Sequence, residues 1–228
     1  AGSASHDAQK EAYVVSGGGA NMWGTADQFH YLWKKVSGDV TLAATIEFTA
    51  THPATGTPEP HRKACLVIRQ TLDSDSVYAD AAVHGDGLTS LQWREDKGGV
   101  THEVQSNVVG PKRVRIEKRG NYVSMSVAGD GDELRPAGGS ARIALAGEFY
   151  VGLAVSAHTT ARIETGTFSN VELETPRRST GQKPTLVNTL ETISLRSKDR
   201  RVVHVVTQPG RIEAPNWFPD ASNTLYFN

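Results

Sequence analysis

Residues 113–127 read Arg-Val-Arg-Ile-Glu-Lys-Arg-Gly-Asn-Tyr-Val-Ser-Met-Ser-Val, and this stretch decides the fold class. In its first half apolar and charged residues alternate strictly, and in its second half apolar residues alternate with serine. Because every second side chain of a β-strand points to the same side, each half predicts a strand with one buried face and one face in water. Glycine and asparagine adopt the positive φ angles of tight turns, so residues 119–121 predict the turn between the two strands.

Strands of this kind recur along the chain, with turns rich in Gly and Asp between them. The predicted strands cover residues 28–36, 40–49, 63–71, 77–84, 88–94, 113–118, 122–127, 149–157 and 162–174. Many short strands about ten residues apart, with almost no helical periodicity, are typical of an all-β sandwich or barrel. Two nearly continuous apolar runs, 64–68 and 149–155, predict central strands that are covered on both faces or line a shallow concavity.

The charge balance gives no reason to expect a nucleic acid or an anionic membrane as partner. The chain of 228 residues has 24 Lys and Arg against 25 Asp and Glu, a formal net charge of -1 at pH 7. Binding to nucleic acid needs concentrated basic charge instead. No apolar run approaches the roughly 20 residues of a membrane-spanning helix. We therefore predict neither a nucleic-acid nor a membrane partner, and we interpret the single Cys65, within the run 64–68, as a buried thiol.

A linker is predicted where the composition changes near residue 176. Residues 176–184 read Pro-Arg-Arg-Ser-Thr-Gly-Gln-Lys-Pro, a basic, polar run bounded by prolines, which is typical of a connecting segment. Beyond it, residues 190–195 and 201–206 predict two further strands. The sequence therefore predicts a β-sandwich over 1–175, a linker over 176–185 and a small β segment over 186–228.

The C-terminal segment resembles the repeat of bacterial TolB-type β-propellers. Residues 215–220, Pro-Asn-Trp-Phe-Pro-Asp, followed by Leu-Tyr-Phe at 225–227, are similar to the repeat's strand signature P-x-W-S-P-D-G … I-x-F. Phe218 replaces the usual serine and Ala221 the usual glycine, so the turn is atypical. The likeness covers a single blade, whereas a propeller needs several stacked blades. It implies that 186–228 is either the start of a propeller or a lone blade packed on the sandwich.

The stretch from 13 to 174 resembles the concanavalin A-like lectin and glucanase jelly rolls of bacteria. The likeness lies in an order of features: a Trp-bearing strand, a Gly-Asp turn with its strand, an apolar strand ending in Arg, a His-Gly-Asp-Gly turn and a Trp-Arg strand. In this chain they lie at 22–33, 36–42, 63–69, 84–87 and 88–94. The resemblance implies an antiparallel two-sheet jelly-roll sandwich with any ligand site on a concave sheet face or its rim. It also implies an exported bacterial protein, secreted or periplasmic.

Strand alternation predicts a polar surface on one side of the sandwich that offers planar donors and acceptors beside an aromatic ring. Its predicted members are His30, Arg69, Tyr78, Asp80, His84, Gln92, Arg94 and His158. Sugars are bound by such groups, because arginine, carboxylate and amide groups pair with hydroxyls while C–H faces rest on aromatic rings. The alternative interpretation is an ordinary solvated sheet face, with Arg69 and Asp80 forming a structural ion pair.

Motifs for catalysis and metal binding are sparse. Most glycosidases need two carboxylates that flank the scissile bond, and the E-x-D-x-x-E run usual in lectin-fold glucanases does not occur in this sequence. The eight histidines show no i, i+4 or H-x-H pairing, so no zinc site is predicted. Asp130 and Asp132 are a candidate site for a structural Ca²⁺ ion, although a Gly-rich hairpin turn is the favoured interpretation. No other cofactor is predicted.

Three functions remain open at this point. The first is a non-catalytic carbohydrate-binding module that binds a glycan or oligosaccharide on the concave sheet face. The second is a glycan-active hydrolase or lyase, with His84 or His158 as acid or base and Asp80 assisting. The third is a structural domain that forms homo-oligomers through its C-terminal strands, because unpaired strand edges accept strands from a neighbour.

Overall fold

A computed structural model describes residues 2–49, 58–175, 187–196, 200–207, 216–217 and 225–226. Its strands, numbered β1 to β19 in chain order, form two large sheets and two small hairpins. The seven-stranded sheet contains, in spatial order, β1 (Ser3–Asp7), β2 (Ala12–Gly19), β15 (Thr159–Glu174), β6 (Val40–Phe48), β11 (Arg113–Arg119), β12 (Tyr122–Ala128) and β13 (Arg135–Arg142). The eight-stranded sheet contains β16 (Val187–Ile193), β17 (Arg200–Thr207), β10 (His102–Gln105), β9 (Thr89–Arg94), β8 (Tyr78–His84), β7 (Lys63–Arg69), β14 (Glu148–Ser156) and β5 (His30–Ser37). The small hairpins are β3 (Met22–Trp23) with β4 (Ala26–Asp27), and β18 (Asn216–Trp217) with β19 (Leu225–Tyr226).

The predicted all-β, two-sheet sandwich of the jelly-roll type is confirmed. Within each large sheet, neighbouring described strands pair antiparallel, except that β10 and β17 run parallel. Across the described ranges, no helix has the length and apolar character required to cross a membrane.

The stretch that predicted the fold class forms the hairpin of β11 and β12, paired from Arg113 opposite Ala128 to Arg119 opposite Tyr122. The predicted alternation along β11 is confirmed, because Val114 and Ile116 are fully buried while Arg113, Arg115 and Glu117, which alternate with them, are partly exposed. Both side chains belong to the core between the two sheets. Burial of each contributes roughly 1.5–3 kcal/mol to stability.

The strand β7 is covered on both faces, as its continuous apolar run predicts. Leu66 and Ile68 belong to the core between the sheets. Cys65 and Val67 point to the opposite side and belong to a second, smaller apolar cluster, which also contains Met22. Cys65 is therefore a buried thiol, and desolvation raises its pKa.

The strands β16 and β17 extend the eight-stranded sheet at one edge. Gln105 of β10 pairs with Arg201 of β17, and Val202 joins the core of the sandwich. The predicted linker at 176–185 and most of residues 208–228 lie outside the described residues. The domain division at 185, the propeller resemblance and oligomerisation through the C-terminal strands stay predictions.

Candidate functional site

The outer face of the eight-stranded sheet, defined as the side away from the sandwich core, gathers most of the predicted binding residues. Six of the eight lie on this face: Arg69, Tyr78, Asp80, His84, Gln92 and Arg94. The strand register arranges them in rows across β7, β8 and β9. Arg69, Tyr78 and Arg94 are directly opposite one another, and Asp80 is opposite Gln92 in the adjacent row.

The other two predicted residues lie elsewhere. In β5, Tyr31 pairs with Ala154 on the outer face, so the preceding His30 points to the opposite side, where its ring lies against Gly2 and Gly17. His158 follows the end of β14, and its Nδ1 lies 3.5 Å from Oε1 of Glu59. His30 therefore does not share a surface with the other predicted residues, and His158 lies at one end of it.

The sheet face on which the sequence predicted a ligand site is covered by the protein's own hairpin of β3 and β4. Met22 of this hairpin is fully buried in the small cluster that also holds Tyr78. All six predicted residues on the outer face are at most 4% exposed. The expectation of a solvated polar surface is corrected here, because a long-range contact covers residues that alternation alone would leave in water.

Asp27 fastens this hairpin to the sheet through two arginines. Its carboxylate accepts two hydrogen bonds from Arg94, at 2.8 and 2.9 Å, and a longer one of 3.4 Å from Arg69. Arg94 also donates to the carbonyl oxygen of Gly24 at 3.0 Å. Arg69 thus pairs with Asp27, and the structural ion pair between Arg69 and Asp80 considered above does not form.

Asp80 is an isolated carboxyl group beneath the hairpin. Both of its oxygens are buried and neither has a hydrogen-bond partner. The neighbouring ammonium of Lys63 is already engaged, because it donates to the Met22 carbonyl and to Oε1 of Gln92, each at 2.9 Å. Desolvation therefore raises the pKa of Asp80 to about 8, although Lys63 opposes this shift. At neutral pH the group is mostly protonated.

His84 is held as a neutral imidazole at the end of the outer face. Its Nδ1 lies 2.9 Å from the carbonyl oxygen of Leu88, and because a carbonyl only accepts, Nδ1 carries the proton. Burial, together with the charge of Lys63, lowers the pKa of His84 from 6.5 to about 4. The folded protein therefore resists protonation of this ring.

Replacing His84 with glutamine should reduce the sensitivity of the protein to acid. Between pH 6.5 and 4 the unfolded chain binds a proton at this position and the folded protein does not, so stability falls as the pH falls. The wild-type free energy of unfolding, relative to that of His84→Gln, should decrease by about 3 kcal/mol between pH 7 and pH 4. Urea denaturation at several pH values measures this difference, and a difference independent of pH would contradict the assignment.

A second feature of the outer face is a group of aromatic side chains, of which Trp33 is exposed and the other three are partly buried; we call it the aromatic surface. It consists of Phe29, Tyr31, Trp33 and Tyr150. The Trp33 side chain is 45% exposed, and its ring meets that of Tyr150 edge-on, with 4.8 Å between the ring centroids. Phe29 and Tyr31 lie 5.6 Å apart, and the hydroxyl of Tyr31 donates to the Val67 carbonyl at 3.1 Å. These contacts fix the ring positions.

A shallow cavity of about 280 Å³ adjoins the aromatic surface. Its lining residues are Asp27, Gln28, Phe29, Tyr31, Arg69, Leu72 and Ser74. The cavity thus combines aromatic rings with amide, hydroxyl and guanidinium groups, and it lies beside the hairpin of β3 and β4.

The aromatic surface was missed by the sequence interpretation, although the signal is present. Phe29, Tyr31 and Trp33 are spaced two residues apart, so they share one side of a strand. The fourth ring, Tyr150, comes from β14 through the pairing of that strand with β5. This partnership depends on strand order, which the sequence does not reveal.

The calcium candidates Asp130 and Asp132 lie in an exposed turn between β12 and β13, where Gly131 has a φ of 75°. This geometry is that of a hairpin turn. Across the described ranges, no group of three or more His, Cys, Asp or Glu side chains could hold a metal ion. The structural Ca²⁺ ion stays a prediction.

Comparison with known proteins shows a shared fold. No family model matches the chain, and no curated protein matches it. A functionally unknown protein from Saccharomyces cerevisiae aligns over 77% of this chain and 92% of its own, with a TM-score of 0.58 and 15% identity. A xylan β-1,4-xylosidase from Bacillus halodurans C-125 aligns over 72% of this chain but 33% of its own, with a TM-score of 0.51 and 14% identity.

Proposed function

We propose that this protein is a non-catalytic carbohydrate-binding module that binds a glycan on the aromatic surface. The observation that carries the proposal is the exposed Trp33 ring, fixed against Tyr150 on a paired strand. Large exposed aromatic side chains on a rigid element are a feature of binding surfaces, since they offer contact area at little cost in conformational entropy.

The chemistry of the aromatic surface suits a sugar ring. The C–H groups on one face of a pyranose are apolar and weakly positive, whereas an aromatic face is apolar and weakly negative. Trp33 is 45% exposed, so its ring is accessible for this contact. The ammonium of Lys35 lies 5.4 Å from the centre of the Tyr150 ring, at the edge of the aromatic surface. From there it can donate a hydrogen bond to a hydroxyl or carboxylate group of the ligand.

The adjoining cavity supplies polar groups for sugar hydroxyls. Gln28 and Ser74 line it and are exposed, so their side chains can exchange hydrogen bonds with water for hydrogen bonds with a ligand. A volume of about 280 Å³ is near the lower limit for small-molecule pockets. We expect it to hold one sugar unit while further units extend over Trp33.

Binding without hydrolysis is favoured by the placement of the carboxylates. Of the residues that line the cavity, Asp27 is the one carboxylate, and Arg94 and Arg69 already neutralise it. Glycosidases need a pair of carboxyl groups free to exchange protons or attack the sugar. Of the residues of the enzymatic alternative, Asp80 and His84 are buried, whereas His158 is partly exposed and its Nδ1 lies 3.5 Å from the Glu59 carboxylate.

Xylo-oligosaccharides are a reasonable first probe because a sandwich of this fold forms part of the xylan β-1,4-xylosidase chain. The proposal includes export from a bacterial cell and a TolB-type propeller after the sandwich, which the sequence resemblances support.

Replacing Trp33 with alanine should weaken glycan binding by roughly 10- to 100-fold. The loss corresponds to about 1.5–3 kcal/mol, the contribution of a large aromatic contact that becomes buried in a complex. A glycan array identifies the ligand, and calorimetric titration of wild type and variant measures the change. Tyr122→Ala is the matched control, because Tyr122 is 55% exposed on the other sheet.

The control should bind like the wild type. Failure of the wild-type protein to bind any plant or microbial glycan would contradict the proposed function. Equal losses of glycan affinity in Trp33→Ala and Tyr122→Ala would contradict the location of the site.

A further inference from the structure

A second exposed tryptophan lies over the outer face of the eight-stranded sheet, and the proposed glycan site does not use it. Trp23 belongs to the hairpin of β3 and β4 and is 42% exposed. The ammonium of Lys63 lies 5.5 Å from the centre of the Trp23 ring. A cation at the face of an aromatic ring is attracted to its π electrons, so this contact helps to fix the indole. The hairpin therefore offers a fixed and accessible aromatic ring.

Lys63 connects this ring to polar side chains of β9 and β10. Two of its N–H groups donate to the Met22 carbonyl and to Oε1 of Gln92, each at 2.9 Å. Gln92 in turn donates from Nε2 to Oε1 of Glu103 at 2.8 Å, and the strand register places these two residues opposite each other. The Glu103 carboxylate thus ends a chain of contacts that begins at the Trp23 ring.

Glu103 is held from two sides and is still partly exposed. Its Oε2 accepts a hydrogen bond from Nε2 of Gln105 at 3.0 Å, while its Oε1 accepts the one from Gln92. Each carboxylate oxygen can accept a further hydrogen bond. Because the two amides already fix the carboxylate, a ligand hydroxyl that binds to it orders no additional side chain.

Gln105 adds an acceptor that has no donor. Its side-chain oxygen is buried, and in the part of the chain that the structure describes no group donates a hydrogen bond to it. The residue as a whole is 7% exposed. An unpaired buried acceptor costs free energy in the folded protein, so a ligand hydroxyl that reaches it after a small turn of the amide is favoured.

We propose that Trp23, Glu103 and Gln105 form a second subsite for a neutral sugar unit, on the side of the hairpin that faces β9 and β10. The indole offers a face for the C–H groups of the sugar, and the carboxylate and amide offer acceptors for its hydroxyls. Lys63 and Glu103 carry opposite charges and both contact Gln92, so an uncharged ligand suits the site. The ligand class rests on the proposed function, whereas the location of the subsite does not.

The second subsite is separate from the aromatic surface. In the order of the sheet, β8, β7 and β14 lie between β9 and β5. Since neighbouring strands are about 4.8 Å apart, β9 and β5 are separated by roughly 19 Å. An oligosaccharide that spans this distance would contact both tryptophans, and such double attachment raises affinity. Trp23 offers one ring where the aromatic surface offers four, so we expect the second subsite to be the weaker.

NMR titrations with xylotriose, cellotriose and mannotriose test the second subsite. The indole N–H signals of the four tryptophans report on each ring separately, and the signal lost in Trp23→Ala is that of Trp23. We expect at least one of these sugars to shift the Trp23 signal, in the wild type and equally in Trp33→Ala. Glu103→Ala should raise the Kd measured from the Trp23 signal at least about tenfold, the effect of losing about 1.4 kcal/mol. The Kd measured from the Trp33 signal should not change.

Glu47→Ala is the matched control, because the Glu47 side chain is 62% exposed on the other sheet. The signal of Trp93, which is buried in the core, verifies that each variant is folded. Gln105→Ala, which removes the unpaired acceptor, is a second variant with the same expected loss, and it replaces Glu103→Ala if that variant does not fold.

Shifts confined to the Trp33 signal would overturn the second subsite and leave the proposed function standing. The second subsite is also overturned if none of the three sugars moves the Trp23 signal, or if Glu103→Ala and Gln105→Ala bind as tightly as Glu47→Ala. Failure of the proposed function is seen separately, as a wild-type protein that binds no glycan on the array.

Discussion

Asp27→Ala is expected to destabilise the protein by about 3–5 kcal/mol. The Asp27 carboxylate is fully buried between the guanidinium groups of Arg94 and Arg69, so its removal leaves two buried cations without their counterion. The same change releases the hairpin of β3 and β4, which Arg94 otherwise holds at both Asp27 and Gly24. Urea denaturation of wild type and variant at pH 7 measures the loss.

A surface ion pair provides the contrast. Asp73 pairs with Lys97 at 2.7 Å, but both side chains are more than half exposed. Water already solvates both charges, so Asp73→Ala should change the free energy of unfolding by no more than about 1 kcal/mol. Similar values for Asp27→Ala and Asp73→Ala would show that the hairpin of β3 and β4 is not fastened through Asp27.

Asp80→Asn is expected to make the protein more stable than the wild type in alkaline solution. The pKa of Asp80 rises from 3.8 to about 8 on folding, so between these values the unfolded chain releases a proton that the folded protein retains. Stability from this group is complete below pH 4 and is lost as the pH rises through 8. The wild-type free energy of unfolding, relative to that of Asp80→Asn, should fall by on the order of 5 kcal/mol between pH 4 and pH 9.

The comparison with the variant removes the contribution of all other titrating groups. Asparagine has nearly the same shape as aspartic acid and does not ionise in this range, so the difference between the two curves reports Asp80 alone. If the free energies of unfolding of wild type and Asp80→Asn change in parallel from pH 4 to pH 9, Asp80 is solvated or paired in the folded protein.

Much of the fold was predictable because strand alternation is a local property. The pattern of residues 113–127 correctly predicted which face of β11 is buried, since Val114 and Ile116 alternate with charged residues. The same reasoning placed Arg69, Tyr78, Asp80 and the other residues of β7, β8 and β9 on one face. The apolar residues of each strand face the core, so the residues that alternate with them share the opposite face.

The burial of that face was not predictable, because it depends on contacts between distant parts of the chain. Nothing near Arg94 indicates that Asp27, 67 positions earlier, is its partner. Nor does the sequence around Tyr78 indicate that it packs with Met22, 56 positions earlier. Residues interpreted as a solvated sugar site are thus held beneath a hairpin, while the exposed Trp33 lies at the sheet edge.

The most direct measurement for the proposed function is an NMR titration that follows the tryptophan indole N–H signals. The chain has four tryptophans, and each gives one such signal. With the tightest-binding glycan of the array, we expect the Trp33 signal to shift and that of Trp93, buried in the core, to stay unchanged. A Trp33 signal that does not move at saturating glycan, or shifts confined to the backbone of β8 and β9, would contradict binding on the aromatic surface.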